Sequence, residues 1–232
     1  MTILITGATK GIGRAIAEKF AASGFELAIC ARNAKDLAQF EKYLADAYKA
    51  KVLAIPCDVT DRKQIKNFAK KVKKNWKQLD VLVNNAGLFV PGNVTGKEEG
   101  VMEELMNVNF YSAYYFTREL LGLMVPYKSG CIFNMCSVAS LKAYPYGSCY
   151  SVAKHALMGL SRALREELKQ HNIHVTALFP GATYTSSWAS SGLPEKRFMD
   201  VKDLADLIFQ IYSLSDRSVV EEVVMRPMLG DI

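Results

Sequence analysis

The sequence predicts an α/β fold in which a doubly wound parallel sheet is covered by helices on both faces. Short apolar runs alternate with amphipathic stretches along all 232 residues, and a glycine-rich loop follows the first apolar run directly. Strands that alternate with helices form βαβ units, and these units build parallel sheets. Because no linker or low-complexity tract interrupts the pattern, we expect a single domain over residues 1–232.

The predicted strands are seven short apolar runs, in chain order TILIT, FELAIC, KVLAIPCD, LDVLVNNAG, GCIFNMC, IHVTALFPG and VEEVVM. Helical periodicity predicts helices over residues 13–23, 34–48, 61–77, 97–124 and 201–214, with a further helix that begins near Tyr150. The longest irregular stretch, residues 183–199, follows a strand end, which is where α/β sheets bind ligands.

The formal net charge of +6 is concentrated in residues 61–77, which hold eight basic residues and one acid. Ile65, Phe68 and Val72 recur there at helical spacing, and lysines fill the opposite face. This pattern is typical of a surface helix with a solvated basic side. A nucleic-acid-binding helix is the alternative, but no nucleic-acid-binding motif accompanies the charge, so we expect no nucleic-acid partner.

The five cysteines are scattered, without a CxxC pair or a histidine cluster. We therefore expect no metal site, no disulfide and a reducing, cytoplasmic setting. The first strand-like run begins at residue 2, which leaves no room for a signal peptide, and no apolar run is long enough to span a bilayer. We expect no membrane association.

Two helical stretches, residues 104–125 and the helix with Tyr150, are apolar around most of their circumference. A helix that packs on a sheet with one face and remains apolar elsewhere has a second surface to cover. This predicts a homodimer or a homotetramer. Burial within one subunit is the alternative.

The loop TGATKGIG, residues 6–13, has the composition of a dinucleotide site. Its glycines allow a tight turn and a close approach to a pyrophosphate, and the helix behind it offers free N–H groups. The spacing is neither G-x-G-x-x-G nor a P-loop, and a plain turn is the alternative. The predicted cofactor contacts here are Gly7, Thr9, Lys10, Gly11, Ile12 and Gly13.

The end of the second strand predicts which dinucleotide binds. An NAD enzyme usually places an acid there for the ribose 2′-hydroxyl, whereas this strand ends in ICARN with Arg32. A guanidinium can pair with a 2′-phosphate, and Lys10 adds a second cation on the same side. We therefore predict NADP(H). The alternative for either residue alone is a solvated surface charge.

The motifs TGATKGIG, NNAG, NVNF, NMCSVAS, YSVAK and PGATYT together resemble those of the short-chain dehydrogenase/reductase family over essentially the whole chain. The resemblance implies a Rossmann-type fold, with a cofactor half over about residues 1–90 and a catalytic and substrate part over about residues 91–232. It implies an active-site tetrad of Asn109, Ser137, Tyr150 and Lys154. It also implies cofactor contacts from Arg32, Asp58, Val59, Asn84, Ala86, Gly87, Tyr150, Lys154, Pro180, Gly181, Thr183 and Thr185.

Reduction of a ketone needs a hydride donor to carbon and a proton donor to oxygen, and Tyr150 can be the acid. A cation about 4 Å away is worth at most about 4 kcal/mol at an effective dielectric constant of about 20. Lys154, one turn on, could thus bring the phenol's pKa from about 10 towards neutrality, aided by the oxidised nicotinamide ring. Ser137 can hydrogen-bond the substrate oxygen. The family implies that Asn109 supports a proton-relay water and that Lys154 bonds the nicotinamide ribose.

Structural alternatives remain for these residues. Tyr150 and Lys154 could be an exposed aromatic beside an exposed cation. Ser137 could be an ordinary strand-end hydroxyl, and Asn109 a polar break in a helix.

Within the family, the tail VVEEVVMRPMLGDI, the PGATYTSSW loop and the start ATKGIGRAIA resemble bacterial sepiapterin reductases. This implies an NADPH-dependent carbonyl reductase that acts on a pterin side-chain ketone. A 3-oxoacyl thioester reductase and a non-catalytic NADP-binding regulator are the alternatives. Trp188, in the loop TSSWASSG, either stacks on a flat substrate or packs against protein.

Overall fold

The computed structural model describes residues 1–188 and 191–232, in which seven strands form one parallel sheet. The strands are β1 (Thr2–Thr6), β2 (Glu26–Cys30), β3 (Val52–Ala54), β4 (Val81–Asn84), β5 (Gly130–Met135), β6 (Ile173–Pro180) and β7 (Glu222–Met225). Their order is β3-β2-β1-β4-β5-β6-β7, so the chain winds outward from β1 and then returns to place β4 on its other side. This reversal opens a crevice at the carboxyl ends of β1 and β4, and the doubly wound fold is confirmed.

Helices cover both faces of the sheet, as predicted. They are α1 (Gly11–Ala22), α2 (Ala34–Tyr48), α3 (Arg62–Asn75), α4 (Val101–Met106), α5 (Ser112–Leu120), α6 (Ser148–Leu168) and α7 (Val201–Tyr212). α1, α2 and α7 bury Phe20 and Ile208 on one face, and α3, α5 and α6 bury Phe68 and Phe116 on the other. Across the described ranges, no helix has both the length and the apolar character needed to cross a membrane.

The basic segment forms α3, and its predicted faces are confirmed. The Asp61 carboxylate caps the helix by accepting hydrogen bonds from the N–H groups of Lys63 (2.8 Å) and Gln64 (3.3 Å). Ile65, Phe68, Ala69 and Val72 are buried on the sheet side, whereas most of the lysines are exposed. Burial of this apolar stripe orders the helix and leaves its charge in solvent.

The single helix expected over residues 97–124 is interrupted. α4 begins only at Val101, a π-helical turn follows at Asn107–Tyr111, and α5 ends at Leu120. The π-helical turn contains Asn109, whose side chain bonds the main chain outside the helix. Such turns insert one extra residue, which sequence periodicity does not reveal, and they occur often at functional sites.

The surface that should carry the subunit interface is exposed in the single chain. Tyr111, in the π-helical turn, has 40% of its surface exposed, and Val152, in α6, has 47%. Apolar side chains at such positions agree with the expected oligomer, which stays a prediction.

Candidate active site

A cavity of about 560 Å³ opens at the carboxyl edge of the sheet. It is lined by Gly7 after β1, Asn85 after β4, Cys136 after β5 and Gly181 after β6. Parallel strands present their carboxyl ends at one edge, so the loops that follow them meet there. The cavity therefore lies where doubly wound sheets bind ligands.

Most of the predicted site residues line this cavity together. They are Gly7, Lys10, Gly11, Ile12, Gly13, Ala86, Gly87, Ser137, Tyr150, Lys154, Pro180, Gly181, Thr183, Thr185 and Trp188. The structure does not bring six others to the lining, namely Thr9, Arg32, Asp58, Val59, Asn84 and Asn109. The fold thus gathers segments from both ends of the chain into one site.

The glycine loop adopts a conformation that side chains would disturb. Gly7 and Gly11 have φ values of +66° and +54°, a region that glycine adopts without strain. A Cβ atom on Gly13 would lie 2.4 Å from the carbonyl oxygen of Gly7 and 2.4 Å from Nδ2 of Asn85. No side chain caps the N-terminus of α1, whose first N–H groups are left for a ligand. The loop therefore fits a pyrophosphate, which needs close main-chain approach and N–H donors.

Asn85 and Thr6 hold the glycine loop against the end of β4. The Asn85 amide donates to the carbonyl oxygens of Thr6 (2.9 Å) and Gly7 (3.0 Å). The Thr6 hydroxyl oxygen accepts from the N–H groups of Asn85 and Ala86, both at 3.0 Å. These four bonds fix the separation of the two strand ends.

Asn84, a predicted cofactor contact, points away from the cavity. Its side chain is buried, and its Nδ2 donates to the Thr117 hydroxyl (3.1 Å) and to Oδ1 of Asn134 (2.8 Å). Successive side chains of a strand face opposite sides of the sheet. The alternation therefore brings Asn85, rather than Asn84, to the site.

The cations predicted to bind the 2′-phosphate lie in the glycine loop and directly after β2, and one of them is paired. Lys10 lies 3.4 Å from the Asp36 carboxylate, in the first turn of α2. No sequence pattern marks this acid as part of the site, because it lies four residues beyond Arg32. Arg32 is exposed, and no carboxylate in residues 1–188 and 191–232 lies within salt-bridge distance of it. Arg32 is therefore the better-placed partner for a phosphate.

The other three predicted contacts outside the large cavity, Thr9, Asp58 and Val59, have different surroundings. Thr9 lines a separate cavity of about 330 Å³ together with Lys10 and Asp36. The Asp58 carboxylate accepts from the main-chain N–H (2.9 Å) and hydroxyl (2.8 Å) of Thr60. Val59 packs against the core. Their part in cofactor binding stays a prediction.

The Lys154 ammonium is buried beside the loop after β5. Its Nζ donates a 2.7 Å hydrogen bond to the carbonyl oxygen of Met135 and lies 5.7 Å from the centre of the Tyr150 ring. Burial lowers the pKa of Lys154 to about 8. Lys154 can therefore exchange a proton near physiological pH.

Tyr150 is held as a neutral phenol. Burial raises its pKa to about 12, and the neighbouring Ser137 hydroxyl offsets this only in part. The expected lowering of this pKa by Lys154 is not found. Desolvation disfavours the lysine's own charge, and its ammonium is directed at the Met135 carbonyl. The phenol therefore keeps its proton at physiological pH and is available as a proton donor.

The Ser137 hydroxyl has a fixed position with its proton free. Its Oγ accepts a 3.1 Å hydrogen bond from the N–H of Ala139, and the Ser140 hydroxyl accepts a 3.2 Å bond from the N–H of Ser137. This reciprocal capping begins the short turn Val138–Ser140 after β5. Within residues 1–188 and 191–232 this hydroxyl donates no hydrogen bond, so it can donate to a ligand in the cavity that Ser137 lines.

Asn109 does not line the cavity but hydrogen-bonds the loop after β4, which does. Its Nδ2 donates to the carbonyl oxygens of Leu88 (2.9 Å) and Leu105 (3.0 Å), and its Oδ1 accepts from the N–H of Leu88 (3.1 Å). A Cβ on Gly87 would lie 3.2 Å from this Oδ1 and 3.6 Å from Nζ of Lys154. With both amide protons occupied by main chain, the side chain positions the loop after β4 beside the lysine.

Aromatic side chains line the part of the cavity around Trp188, the predicted position of the substrate, which we call the substrate end. Trp188 lines it and also packs on Phe198, with ring centres 5.2 Å apart. Phe89, which the sequence analysis missed, lines it too and meets the Tyr150 ring edge-on at 5.0 Å. The Phe89 side chain is half exposed although it lies beside a predicted catalytic residue. No motif marks it, and only its position after NNAG could have drawn attention to it.

Asp231 is the second residue that the sequence analysis missed. Its Oδ2 accepts from Tyr144 and Arg226. Its Oδ1 is buried in the cavity wall and has no partner among the described residues. Burial alone would raise the pKa of Asp231, but the bonds from Tyr144 and Arg226 hold it below its ordinary value. An ionised carboxylate with one free oxygen favours a ligand that donates N–H or O–H groups.

Comparison with known proteins gives one consistent family. The family model described as short chain dehydrogenase matches residues 1–196. A sepiapterin reductase of Chlorobaculum tepidum is 34% identical over 240 residues, covering 99% of this chain and 97% of that protein. An alcohol dehydrogenase of the archaeon Thermococcus sibiricus, solved with 5-hydroxy-NADP, is 26% identical with a TM-score of 0.91, covering 100% of this chain and 98% of that one. The L-sorbose reductase of Gluconobacter frateurii, solved with NADPH and L-sorbose, is 25% identical with a TM-score of 0.90, covering 97% and 95%.

The buried ammonium predicts how stability changes with pH. The pKa of Lys154 falls from 10.5 to about 8 on folding, so between these values the unfolded chain holds a proton that the folded protein has released. Stability therefore rises with pH in this window. From about pH 7.5 to about pH 9.5 the wild-type protein should gain about 2 kcal/mol relative to Lys154→Met in urea unfolding. The exposed Lys66→Met control should follow the wild type, and identical pH profiles for Lys154→Met and wild type would contradict the prediction.

Proposed function

Because the chain belongs to the short-chain dehydrogenase family, we propose that it is an NADPH-dependent reductase of the side-chain ketone of a pterin such as sepiapterin. One observation carries the choice of substrate. Two residues line the same cavity: Trp188, which offers an aromatic face, and Asp231, whose buried Oδ1 has no partner among the described residues. A pterin is a flat heterocycle with N–H donors on its pyrimidine edge, so it suits both.

The cofactor assignment rests on the fit of the loops at the carboxyl edge. The glycine loop lines the cavity with its main chain, as a pyrophosphate site requires, and Arg32 follows β2 where an NAD enzyme would carry an acid. Two of the solved relatives hold NADP or NADPH forms. When bound, NADPH supplies the hydride that reaches the carbonyl carbon.

The proton comes from Tyr150. Because its pKa lies at about 12, the phenol is protonated before the reaction and can donate to the carbonyl oxygen as negative charge develops there. Ser137 donates a second hydrogen bond to the same oxygen from its fixed position. Lys154, whose pKa of about 8 lets it exchange a proton near physiological pH, can return a proton to the tyrosine after the reaction.

The main alternative, a 3-oxoacyl thioester reductase, agrees less well with the substrate end. The acyl chain near the reacting ketone has neither a flat ring for Trp188 nor N–H donors for Asp231. Oδ1 of Asp231 would then lack a hydrogen-bond donor among the described residues and the substrate, which costs the free energy of one missing hydrogen bond. A non-catalytic regulator would need neither the neutral phenol nor the buried ammonium.

Tyr150→Phe tests the proton donor. It removes the phenolic hydroxyl and little volume, so kcat should fall about 10²–10⁴-fold while the dissociation constant for NADPH changes little. Stopped-flow turnover and fluorescence titration measure the two quantities. The exposed Tyr127→Phe, with the same chemical change, should behave as wild type. Retention of more than about a tenth of the activity would remove Tyr150 from this role.

Arg32→Asp tests the cofactor preference. Loss of a charge-assisted pair with the 2′-phosphate should cost about 1.5–3 kcal/mol in NADPH affinity, and the new carboxylate adds repulsion. The preference should shift towards NADH in titrations with both cofactors. Arg217→Asp makes the same change on an exposed loop and should leave the preference intact. Equal wild-type affinities for NADPH and NADH would contradict the assignment.

Sepiapterin itself tests the substrate. The wild-type protein should reduce it with NADPH. Trp188→Ala and Asp231→Asn should each lower kcat/KM for sepiapterin about tenfold more than for 2,3-butanedione, since the small diketone uses neither contact. Equal losses on both substrates would make the two residues structural. Turnover of acetoacetyl thioesters but not of sepiapterin would favour the alternative reductase.

A further inference from the structure

Residues 226–232 form part of the wall of the large cavity. This 226–232 segment follows β7, and both Asp231 and Ile232 line the cavity. A turn closed by a 2.8 Å bond from the Gly230 N–H to the Pro227 carbonyl shapes it, with φ of +80° at Gly230. It packs closely on the loop after β6, since a Cβ on Gly181 would lie 3.0 Å from Cδ of Pro227.

One side chain from another part of the chain ties this segment down. The Arg197 guanidinium donates from Nη1 to the carbonyl oxygen of Gly230 and from Nη2 to that of Asp231, both at 2.9 Å. The planar fork of arginine suits two acceptors held side by side, which a lysine ammonium cannot match. The two bonds fix consecutive peptide groups, and with them the direction of the Asp231 side chain.

The residue next to Arg197 is Phe198, which packs on Trp188 at the substrate end of the cavity. Phe198 is buried, and its ring centre lies 5.2 Å from that of Trp188 and 5.7 Å from that of Tyr184. The next residue, Met199, fixes Arg197 and Phe198 to the loop after β6, because its N–H donates to the Ala182 carbonyl at 3.0 Å. Arg197 and Phe198, which are adjacent in the chain, thus hold the acidic wall of the cavity (Asp231) and its aromatic wall (Trp188) respectively.

We infer that Arg197 is a positioning residue that sets the width of the substrate end by holding the 226–232 segment against the Trp188 loop. It does not line the cavity, so it acts through Asp231 and Trp188. The inference rests on the carbonyl reductase activity proposed above and is independent of the pterin assignment. Its consequence is selectivity, because a large flat substrate needs both walls in place and a small one reaches Tyr150 without them.

The test compares two diketones that differ in size, 1-phenyl-1,2-propanedione and 2,3-butanedione, in wild type, Arg197→Lys and Arg197→Ala. The measured quantity is kcat/KM for the large diketone divided by kcat/KM for the small one. We expect this ratio to fall about tenfold in Arg197→Ala, mainly because KM for the large diketone rises. It should fall less in Arg197→Lys, because a lysine can keep one of the two hydrogen bonds. Hydrogen exchange of a peptide covering residues 226–232 should accelerate in the same order. The neighbouring exposed Lys196→Ala is the matched control for both measurements.

Three outcomes overturn the inference. They are an unchanged ratio in Arg197→Ala, equal losses of kcat on both diketones, and hydrogen exchange in the 226–232 segment that does not respond to Arg197. Arg197→Lys keeps the test valid if Arg197→Ala folds poorly, which the unfolding midpoint reports. A wild-type protein that reduces both diketones but not sepiapterin contradicts the pterin assignment alone. An unchanged ratio of kcat/KM for the two diketones in Arg197→Ala, together with normal sepiapterin turnover by the wild type, contradicts only the role inferred for Arg197.

Discussion

The site depends on the close contact between the ends of β1 and β4. The Asn85 amide and the Thr6 hydroxyl join the two strand ends by four hydrogen bonds, and Gly13 has room for no side chain because the Gly7 carbonyl and the Asn85 amide fill that space. The reversal of strand order occurs at this place, so the same contact that closes the sheet also shapes the loop for a pyrophosphate. A larger residue at position 13 would separate the two halves of the site.

Burial then decides the protonation states around the reacting centre. It favours the neutral form of both titratable groups, which keeps the Tyr150 phenol protonated and makes the Lys154 proton easy to release. Asp231 differs because Tyr144 and Arg226 compensate its charge. The cavity wall thus contains a neutral phenol, Tyr150, and a negatively charged carboxylate, Asp231. Such a pair orients a polar substrate and leaves the proton donor intact.

Local periodicity and short motifs were enough to predict three features. These are the order of the elements, the glycine loop and the grouping of Ser137, Tyr150 and Lys154. Other features depend on contacts that no local pattern records. Arg197 meets Gly230 across 33 positions, and Tyr144 meets Asp231 across 87. A shift of one residue decides which of Asn84 and Asn85 faces the cavity, and the π-helical turn contains one extra residue. Hydrophobic periodicity does not locate an element to within one residue.

The position of β7 at the outer end of the strand order has a consequence for synthesis. β7 pairs with β6 only after more than 40 residues of intervening chain, since Thr176 bonds Val220 across 44 positions. During translation, β1 to β6 and the glycine loop leave the ribosome before β7 and the 226–232 segment that follows it. The strand ends that carry the glycine loop can therefore come together on a nascent chain before the 226–232 segment is present, and this segment then completes a cavity whose other walls already exist.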